Sequence, residues 1–316
     1  MTEATASHEA VPADELRFRR RRMMSGLAWA AITVSIFAGW FVVTRVGVTR
    51  TLRFWDITAL RFAIGAVLMA PVLVRGASRY SRRDWIDGLL FSLLWGVPFV
   101  LLVSYGLGFT SAAAASSTVP TLMPVIAGTL AWVFLGERPA GQRLLGFAAI
   151  VCGMLTMAWL SSGLGHGSLL GFACLIGAST LWSIYTLVFR RSRLNGIEAA
   201  AFICVWSAVL YLPPYVFLGA SHLGEASAGE LALQVVYQGI LVSTVAVITF
   251  NRAVAQLGAP VSSAIMALVP VVATLLAIVV LGEVPSLPEG AAIVTVALGV
   301  VLASGLFARS GNRPHP

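Results

Sequence analysis

The sequence predicts an all-α, polytopic membrane protein of ten transmembrane helices, arranged as two inverted five-helix repeats. Three observations predict this fold: an apolar composition, ten apolar stretches of spanning length, and a segment that occurs twice. Of the 316 residues, 58% are hydrophobic and only 11% are charged. Because a soluble domain carries about 25% charged residues, this composition excludes a soluble globule and indicates that lipid surrounds most of the chain.

Ten stretches are long enough and apolar enough to cross a hydrocarbon core of about 30 Å as helices of about 20 residues. A helix also satisfies its backbone polar groups internally, as lipid requires. The alternating pattern of membrane β-strands is absent from them. In chain order the predicted spans cover residues 26–46, 57–74, 85–107, 112–135, 144–160, 169–189, 199–218, 231–254, 261–281 and 290–307.

The arginines are distributed unevenly between the two sides of the predicted membrane. A cluster precedes the first span and others occupy the even-numbered loops, whereas the odd-numbered loops hold Arg50 and Arg53, near Arg45 at a helix end. Since cytoplasmic loops are enriched in arginine and lysine, we predict a multi-pass protein of a bacterial inner membrane with both termini in the cytoplasm. The net charge of +8 resides in tails and loops, so the predicted partner is the lipid bilayer and not nucleic acid.

Four regions are predicted along the chain. Residues 1–25 form a disordered cytoplasmic tail, because their amino-terminal part is polar and lacks helical periodicity. The first repeat covers residues 26–160, the second covers 168–308, and residues 309–316 form another cytoplasmic tail. Cys152, Cys174 and Cys204 all lie within predicted spans. Buried thiols are therefore predicted in place of a disulfide framework or a zinc site.

The segment LMPVIAGTLAWVFLGERP at residues 122–139 returns as LVPVVATLLAIVVLGEVP at residues 268–285. Earlier in each half, Trp40 is matched by Trp182 and Thr44 by Thr186 at a similar shift. These matches indicate an internal duplication of five helices. Because five is odd, the second copy enters the membrane from the opposite side, and inverted repeats of this kind are typical of alternating-access transporters.

The repeated helix ends LGERP (135–139) and LGEVP (281–285), the motif GWFVVTRVGV (39–48) and the motif ALRF (59–62) carry a family resemblance. With them the chain resembles the EamA-type members of the drug/metabolite transporter (DMT) superfamily over nearly its whole length. The resemblance implies export or uptake of amino acids, their derivatives, nucleosides, vitamins or amphipathic drugs. It also implies a central cavity, lined mainly by the first, third, fourth, sixth, eighth and ninth helices.

Polar and aromatic side chains inside the spans are the candidates for lining that cavity. Trp40 and Thr44 lie one helical turn apart in the first span, as do Trp182 and Thr186 in the sixth. Their indoles would stack on the substrate and their hydroxyls would hydrogen-bond to it. In the alternative interpretation, the tryptophans anchor helices at the membrane interface and the threonines bond to their own helices. Three further candidates are Tyr105, Tyr185 and Asn251.

Arginine is costly in the middle of a membrane, by about 3 kcal/mol or more. Arg45, Arg61 and Arg252 lie within or near predicted spans, so each needs a counterion or an exit to the headgroups. Arg61 lies deepest, and another helix must supply its partner. Arg45 and Arg61 are candidate cavity residues, and an arginine facing the cavity favours a carboxylate-bearing substrate.

Glu137 and Glu283 occupy equivalent positions at the ends of the fourth and ninth spans. They are candidate gate residues, each of which would pair with an arginine when its own end of the cavity closes. The alternative is capping of a helix end before a turn, which the following Pro139 and Pro285 favour.

The predicted function is a secondary transporter that exports a small amphipathic metabolite, an amino acid or derivative, by alternating access. No catalytic residue, metal or cofactor is predicted, because the sequence contains no phosphate-binding loop, no HExxH motif and no nucleophile with a plausible base. The chain is therefore not expected to be an enzyme. The alternatives are a membrane receptor or scaffold, and a flippase-like protein for a lipid-linked substrate. The substrate, the direction, the coupling ion and the choice between monomer and homodimer stay open.

Overall fold

The computed structural model describes residues 13–162, 166–219 and 221–304. Within these ranges the chain is helical, with short connections and no strand. In the same ranges, eight helical segments are long enough and apolar enough to cross a membrane, and two shorter apolar helices run over Val269–Leu281 and Leu287–Ala303. The all-helical part of the prediction is confirmed, and the chain is a multi-pass membrane protein.

The described residues contain α-helices numbered α1 to α13, with a π-helical segment between α9 and α10 and 3₁₀ turns at Ala77–Arg79 and Leu223–Glu225. The bounds are α1 Ala13–Thr49, α2 Phe54–Gly76, α3 Arg82–Trp95, α4 Val97–Phe109, α5 Ala112–Leu135, α6 Gly141–Ser162, α7 His166–Phe189, α8 Gly196–Phe217, α9 Ala228–Gln234, the π-helical segment Val235–Val245, α10 Ala246–Leu257, α11 Ala259–Met266, α12 Val269–Leu281 and α13 Leu287–Ala303.

Polar side chains explain where several helices begin. At the start of α3, the amide of Asp84 donates to the hydroxyl of Ser81, and the amide of Ser81 donates to the Asp84 carboxylate over 2.7 Å. Asn195 and Glu198 make the same reciprocal pair at the start of α8, and Ser286 begins α13 in the same way. These capping boxes satisfy amides that the first turn of a helix leaves without partners.

Three of the predicted spans are interrupted. The third is divided into α3 and α4 at Gly96, and Pro98 follows in the first turn of α4. The ninth is divided into α11 and α12 at residues 267–268, and Pro270 follows in the first turn of α12. A helix readily begins at proline, which lacks the amide that a helix interior needs. The eighth contains the 11-residue π-helical segment.

The first helix begins earlier than the sequence predicts. Residues 1–25 were expected to form a disordered tail, but α1 already begins at Ala13. The predicted tail residues 1–12 lie outside the described residues. So do residues 305–316, which include the end of the tenth predicted span and the carboxyl-terminal tail.

Packing between the halves brings α1 to the centre of the bundle. It packs against α10 and α12, while α2 packs against α8 and α6 against α13. The α6–α13 contact is close because glycines meet there: a Cβ atom on Gly146 would lie 2.5 Å from the backbone nitrogen of Ala303. The main core cluster includes Phe62, Phe91 and Phe202, each at most 1% exposed. Of the candidate residues, Trp40 and Tyr185 lie in this core and Trp182 packs against it.

Candidate functional site

A buried polar network joins α1 to the π-helical segment. The indole nitrogen of Trp40 donates to Oε1 of Gln238 over 2.9 Å, and Nε2 of Gln238 donates to the hydroxyl of Thr44 over 2.9 Å. One turn earlier, Gln234 donates to the carbonyl of Val43 over 2.7 Å. Trp40 is 3% exposed and the side chains of Thr44 and both glutamines are fully buried. The predicted pair therefore shares its site with two glutamines.

The π-helical segment gives Gln238 its place between α1 and α2. The hydroxyl of Ser243 donates to the carbonyl of Gln238, five residues earlier, over 2.8 Å. Next to Gln238, a Cβ atom on Gly239 would lie 2.5 Å from Ile64 of α2, so only glycine allows this approach. π-helical turns are rare and occur frequently at functional sites. The geometry therefore marks this part of the eighth predicted span as a candidate site.

Aromatic rings continue from this network toward α7. Trp95 stacks on Trp182 with 5.6 Å between ring centres, and on Tyr185 with 4.8 Å. Phe99 connects the two parts, since its ring centre lies 5.9 Å from that of Trp182 and 6.1 Å from that of Trp40. The structure thus places three predicted residues, Trp40, Trp182 and Tyr185, in one aromatic cluster.

Three other candidates make local contacts. The hydroxyl of Thr186 donates to a carbonyl one turn earlier in its own helix over 2.9 Å, as the alternative interpretation predicts. The ring of Tyr105 lies 5.1 Å from that of Phe54, at the start of α2. Asn251 lies beside Gly196, at the start of α8, and donates to its own helix. In this structure, Tyr105 and Asn251 therefore lie beside the starts of α2 and α8.

Arg61 projects from α2 into the core beside Trp40. Its Cζ lies 5.2 Å from the centre of the Trp40 ring and 5.9 Å from that of Phe62. Its Nη1 is shielded from solvent and has no hydrogen-bond partner among the described residues. Arg252, by contrast, is exposed, and its Cζ lies 5.0 Å from the ring of Trp29. The two arginines therefore differ, and Arg61 is the one with an unused donor inside the bundle.

A carboxylate links helices at one end of the bundle, which we call the Glu283 end. Nε of Arg45 donates to Oε1 of Glu283 over 2.9 Å, and the amide of Ala112, the first residue of α5, donates to Oε2 over 2.9 Å. Nη1 of Arg45 also donates to the carbonyl of Leu107. The two charged side chains are 20% and 22% exposed. Glu283 therefore ties α1 and α5 to the end of α12.

The equivalent carboxylate at the other end of α5 makes a weaker contact. Glu137 lies 3.6 Å from Arg190, and their side chains are 52% and 58% exposed. Both glutamates follow a glycine in the left-handed region, Gly136 with φ of 71° and Gly282 with φ of 68°. The helix ends have the same shape, but the carboxylates have different partners. We call the second location the Glu137 end.

A cleft of about 490 Å³ opens near the Glu137 end, between α3, α5 and α7. Its walls are apolar where α5 and α7 contribute Leu130, Phe134 and Ile184, and charged where Arg83 and Arg191 approach. An apolar cleft with a charged rim suits an amphipathic molecule.

Gln234, Gln238, Trp95 and Phe99 were not predicted from the sequence. The glutamines carried a signal, because two uncharged polar residues one turn apart inside an apolar span share a helix face. The aromatic pair carried none, because aromatic residues are common in membrane helices. Within the part of the chain that the structure describes, no group of three histidine, cysteine or acidic residues could hold a metal ion.

Comparisons with known proteins agree with this architecture. The model of the EamA-like transporter family matches residues 24–159 and again residues 169–305, so the chain contains two copies of the family unit. A protein of known crystal structure matches with a TM-score of 0.61 and 22% identity, covering 92% of this chain and 99% of its own. At that identity the match shows the fold alone.

Several relatives have been named as transporters. The chain is 30% identical over 271 residues to a probable terminal-alkyne amino-acid exporter of Streptantibioticus cattleyicolor, covering 83% of this chain and 88% of the relative. It is 23% identical to the uncharacterized transporter YetK of Bacillus subtilis, and the match covers 83% of this chain and 82% of YetK. It is 27% identical to the uncharacterized protein PA1977 of Pseudomonas aeruginosa, and the match covers 93% of this chain and 99% of that protein. From the repeated match across nearly its whole length, the chain belongs to the EamA-like transporter family.

Proposed function

We propose that this protein is a secondary transporter that exports a small amphipathic metabolite, an amino acid or a derivative, by alternating access. The observation that carries the proposal is the difference between the two ends of the bundle. Glu283 holds Arg45 and the amide of Ala112, each at 2.9 Å, whereas Glu137 lies 3.6 Å from Arg190 in an exposed pair. A carrier whose site opens to one side at a time is expected to hold equivalent carboxylates in different contacts at its two ends.

We further propose that the chain has ten spans in two inverted repeats. Three of these spans are interrupted: α3 and α4 form one, α9, the π-helical segment and α10 form another, and α11 and α12 form the third. Counted in this way, each half provides five spans. Packing supports this equivalence: α1 packs against α10 and α12, and its equivalent α7 packs against their equivalents α4 and α5. The repeated family match supports it as well.

The orientation follows from the arginine distribution. Both termini lie in the cytoplasm, because the arginine-rich loops lie on the same side as the amino terminus. α1 then ends outside, so the Glu283 end is the outer end and the Glu137 end is cytoplasmic. In this arrangement the structure is the state that is closed to the outside.

The transport cycle follows from these contacts. The substrate enters through the cleft at the Glu137 end and reaches the aromatic cluster. Rocking of one repeat against the other then separates Arg45 from Glu283 and shortens the contact of Arg190 with Glu137, which is 3.6 Å in this structure. Only differential contacts can drive such a change, and each ion pair is tighter in one state than in the other.

The substrate class is supported by chemistry and by a relative. Aromatic rings in the cluster bind the apolar part of an amphipathic molecule, and the unused N–H donor of Arg61 donates to an anionic group. One relative is named as a probable amino-acid exporter. We therefore place amino acids and their derivatives first among the substrates.

Counterflow in sealed liposomes tests the proposal. Vesicles containing the purified full chain are loaded with unlabelled aromatic or aliphatic amino acids, nucleosides or lipophilic cations, and uptake of the labelled compound is measured with and without a pH gradient. We expect counterflow of amino acids, reduced at least tenfold in Trp182→Ala. The matched control is Trp159→Ala, because Trp159 is 74% exposed. The absence of counterflow for every class would contradict a transport function.

A further inference from the structure

Arg61 is an unusual residue for the interior of a membrane bundle. Its Nη1 is shielded from solvent and has no partner among the described residues, although a buried guanidinium is stable only when its donors are satisfied. The guanidinium lies over the ring of Trp40 at 5.2 Å, which compensates part of the charge by a cation–π contact. Nη1 is therefore available to donate to an acceptor on a bound ligand.

The surroundings of Arg61 are packed and mostly neutral. One turn further along α2, Gly65 packs closely against Cys204 of α8 and Ser243 of the π-helical segment. A Cβ atom at this position would lie 3.1 Å from each of them. Every described aspartate and glutamate lies in the first two turns of a helix or in a connection. The closest acidic residue along α2, Asp56, already accepts from the hydroxyl of Tyr215 over 2.6 Å.

These observations describe a site with one cationic group and no carboxylate to match it. Such a site binds an anion, and the planar guanidinium is suited to a carboxylate. It offers no acidic partner to an ammonium group. Apolar rings lie next to it, because the ring of Phe99 contacts those of Trp40 and Trp182.

We infer that Arg61 binds the carboxylate of the transported molecule, that Trp40 positions the guanidinium, and that the site does not require an α-amino group. The substrate class is then monocarboxylates with an apolar or aromatic remainder, whether or not an amine is present. This inference rests on the proposed function, because it assigns the recognition chemistry of the same site.

The test measures direct binding to the full chain in detergent micelles, independently of transport. Three probes share a benzyl group: 3-phenylpropanoate, L-phenylalanine and 2-phenylethylamine. Inorganic phosphate is a fourth probe, for an anion without an apolar part. Calorimetric titration and the shift of the unfolding temperature are recorded for each. We expect the two carboxylates to bind, and 2-phenylethylamine and phosphate to bind at least tenfold more weakly.

The variants separate recognition from stability. R61Q should weaken 3-phenylpropanoate at least tenfold, while the control R252Q should bind as the unchanged protein does. W40L should reduce the ratio of the affinity for 3-phenylpropanoate to that for 2-phenylethylamine. If Trp40 only stabilised the fold, its replacement would not alter this ratio. R61K should retain part of that preference, because it keeps the charge but lacks the planar fork.

Several results would overturn the inference. The first is that 3-phenylpropanoate binds R61Q as tightly as it binds the unchanged protein. The second is that the unchanged protein binds 2-phenylethylamine or phosphate more tightly than the two carboxylates. The third is that the unchanged protein binds neither carboxylate. The probe comparison on the unchanged protein decides the matter even where R61Q does not fold. Amino-acid counterflow that persists in R61Q would refute the inference and leave the transport function standing.

Discussion

At the residue scale, hydrogen bonds to Gln238 determine how α1 meets the second half of the chain. Its side-chain amide accepts from Trp40 and donates to Thr44, so a single residue fixes two side chains of the first span. Interhelical hydrogen bonds in membranes stabilise a bundle by about 0.6 kcal/mol on average, and more where both partners are fully buried. The network therefore acts mainly by orienting Trp40 toward the aromatic cluster.

Replacing Thr44 by valine should destabilise the protein by about 0.5–2 kcal/mol, because Gln238 loses an acceptor in a dry environment. The matched control is Thr180→Val. Thr180 is only partly buried, and its hydroxyl donates to the carbonyl of Ile176 in its own helix. Unfolding in detergent, followed by circular dichroism, compares the two. Equal stability of both variants would show that the Gln238 network contributes nothing measurable.

The two candidate gate residues, Glu137 and Glu283, should respond differently to substitution. Glu283→Ala leaves a partly buried arginine and the amide of Ala112 without an acceptor, so we expect a loss of about 1–3 kcal/mol of stability. Glu137→Ala removes an exposed pair and should change stability by less than about 0.5 kcal/mol. Both should reduce counterflow, since each end must close once per cycle. A larger loss of stability for Glu137→Ala than for Glu283→Ala would contradict the assignment of the closed end.

At the element scale, the ends of α5 and α12 are built alike from one short motif. In each, a glycine adopts a left-handed conformation after the last helical turn, and the glutamate follows it. A residue with a Cβ atom is strained there. The motif therefore sets the direction of each gate carboxylate through the backbone.

Gly282→Ala should destabilise the protein by about 1–2 kcal/mol, because alanine is strained at a φ of 68°. It should also weaken the contact of Glu283 with Arg45. Gly290→Ala is the control: Gly290 lies in the first turn of α13 with open space around it, so alanine should be neutral or slightly stabilising. Thermal unfolding of both variants checks the pair, and an unaffected Gly282→Ala would argue against backbone control of the gate.

Most helix locations could be predicted from the sequence, because apolar length alone determines where a chain can span a membrane. The repeated ends of α5 and α12 could also be predicted, since Gly-Glu-x-Pro stops a helix. The π-helical segment could not, because the run VVYQGILVSTV has the same apolar character in either helix type. The contact of Gln238 with Trp40 joins residues 198 positions apart, and only the tertiary fold reveals it.

At the scale of the whole molecule, two copies of one family unit produce one bundle with unequal ends. The Glu283 end is tied by hydrogen bonds to α1 and α5, and the Glu137 end lies beside an open cleft. Our central claim is that these two conditions exchange during transport.

Thiol labelling at both ends tests that claim most directly. In a background without Cys152, Cys174 and Cys204, single cysteines replace Val46, which is buried beside Arg45, and Ile184, which lines the cleft. A membrane-impermeant reagent is applied to each face of the vesicles. Without substrate, we expect the cysteine at position 184 to react from the cytoplasmic face and the cysteine at position 46 to be protected from the outer face. A counterflow substrate should raise labelling at position 46 and lower it at position 184. Labelling that does not change with a transported substrate, or simultaneous full labelling at both positions, would contradict alternating access.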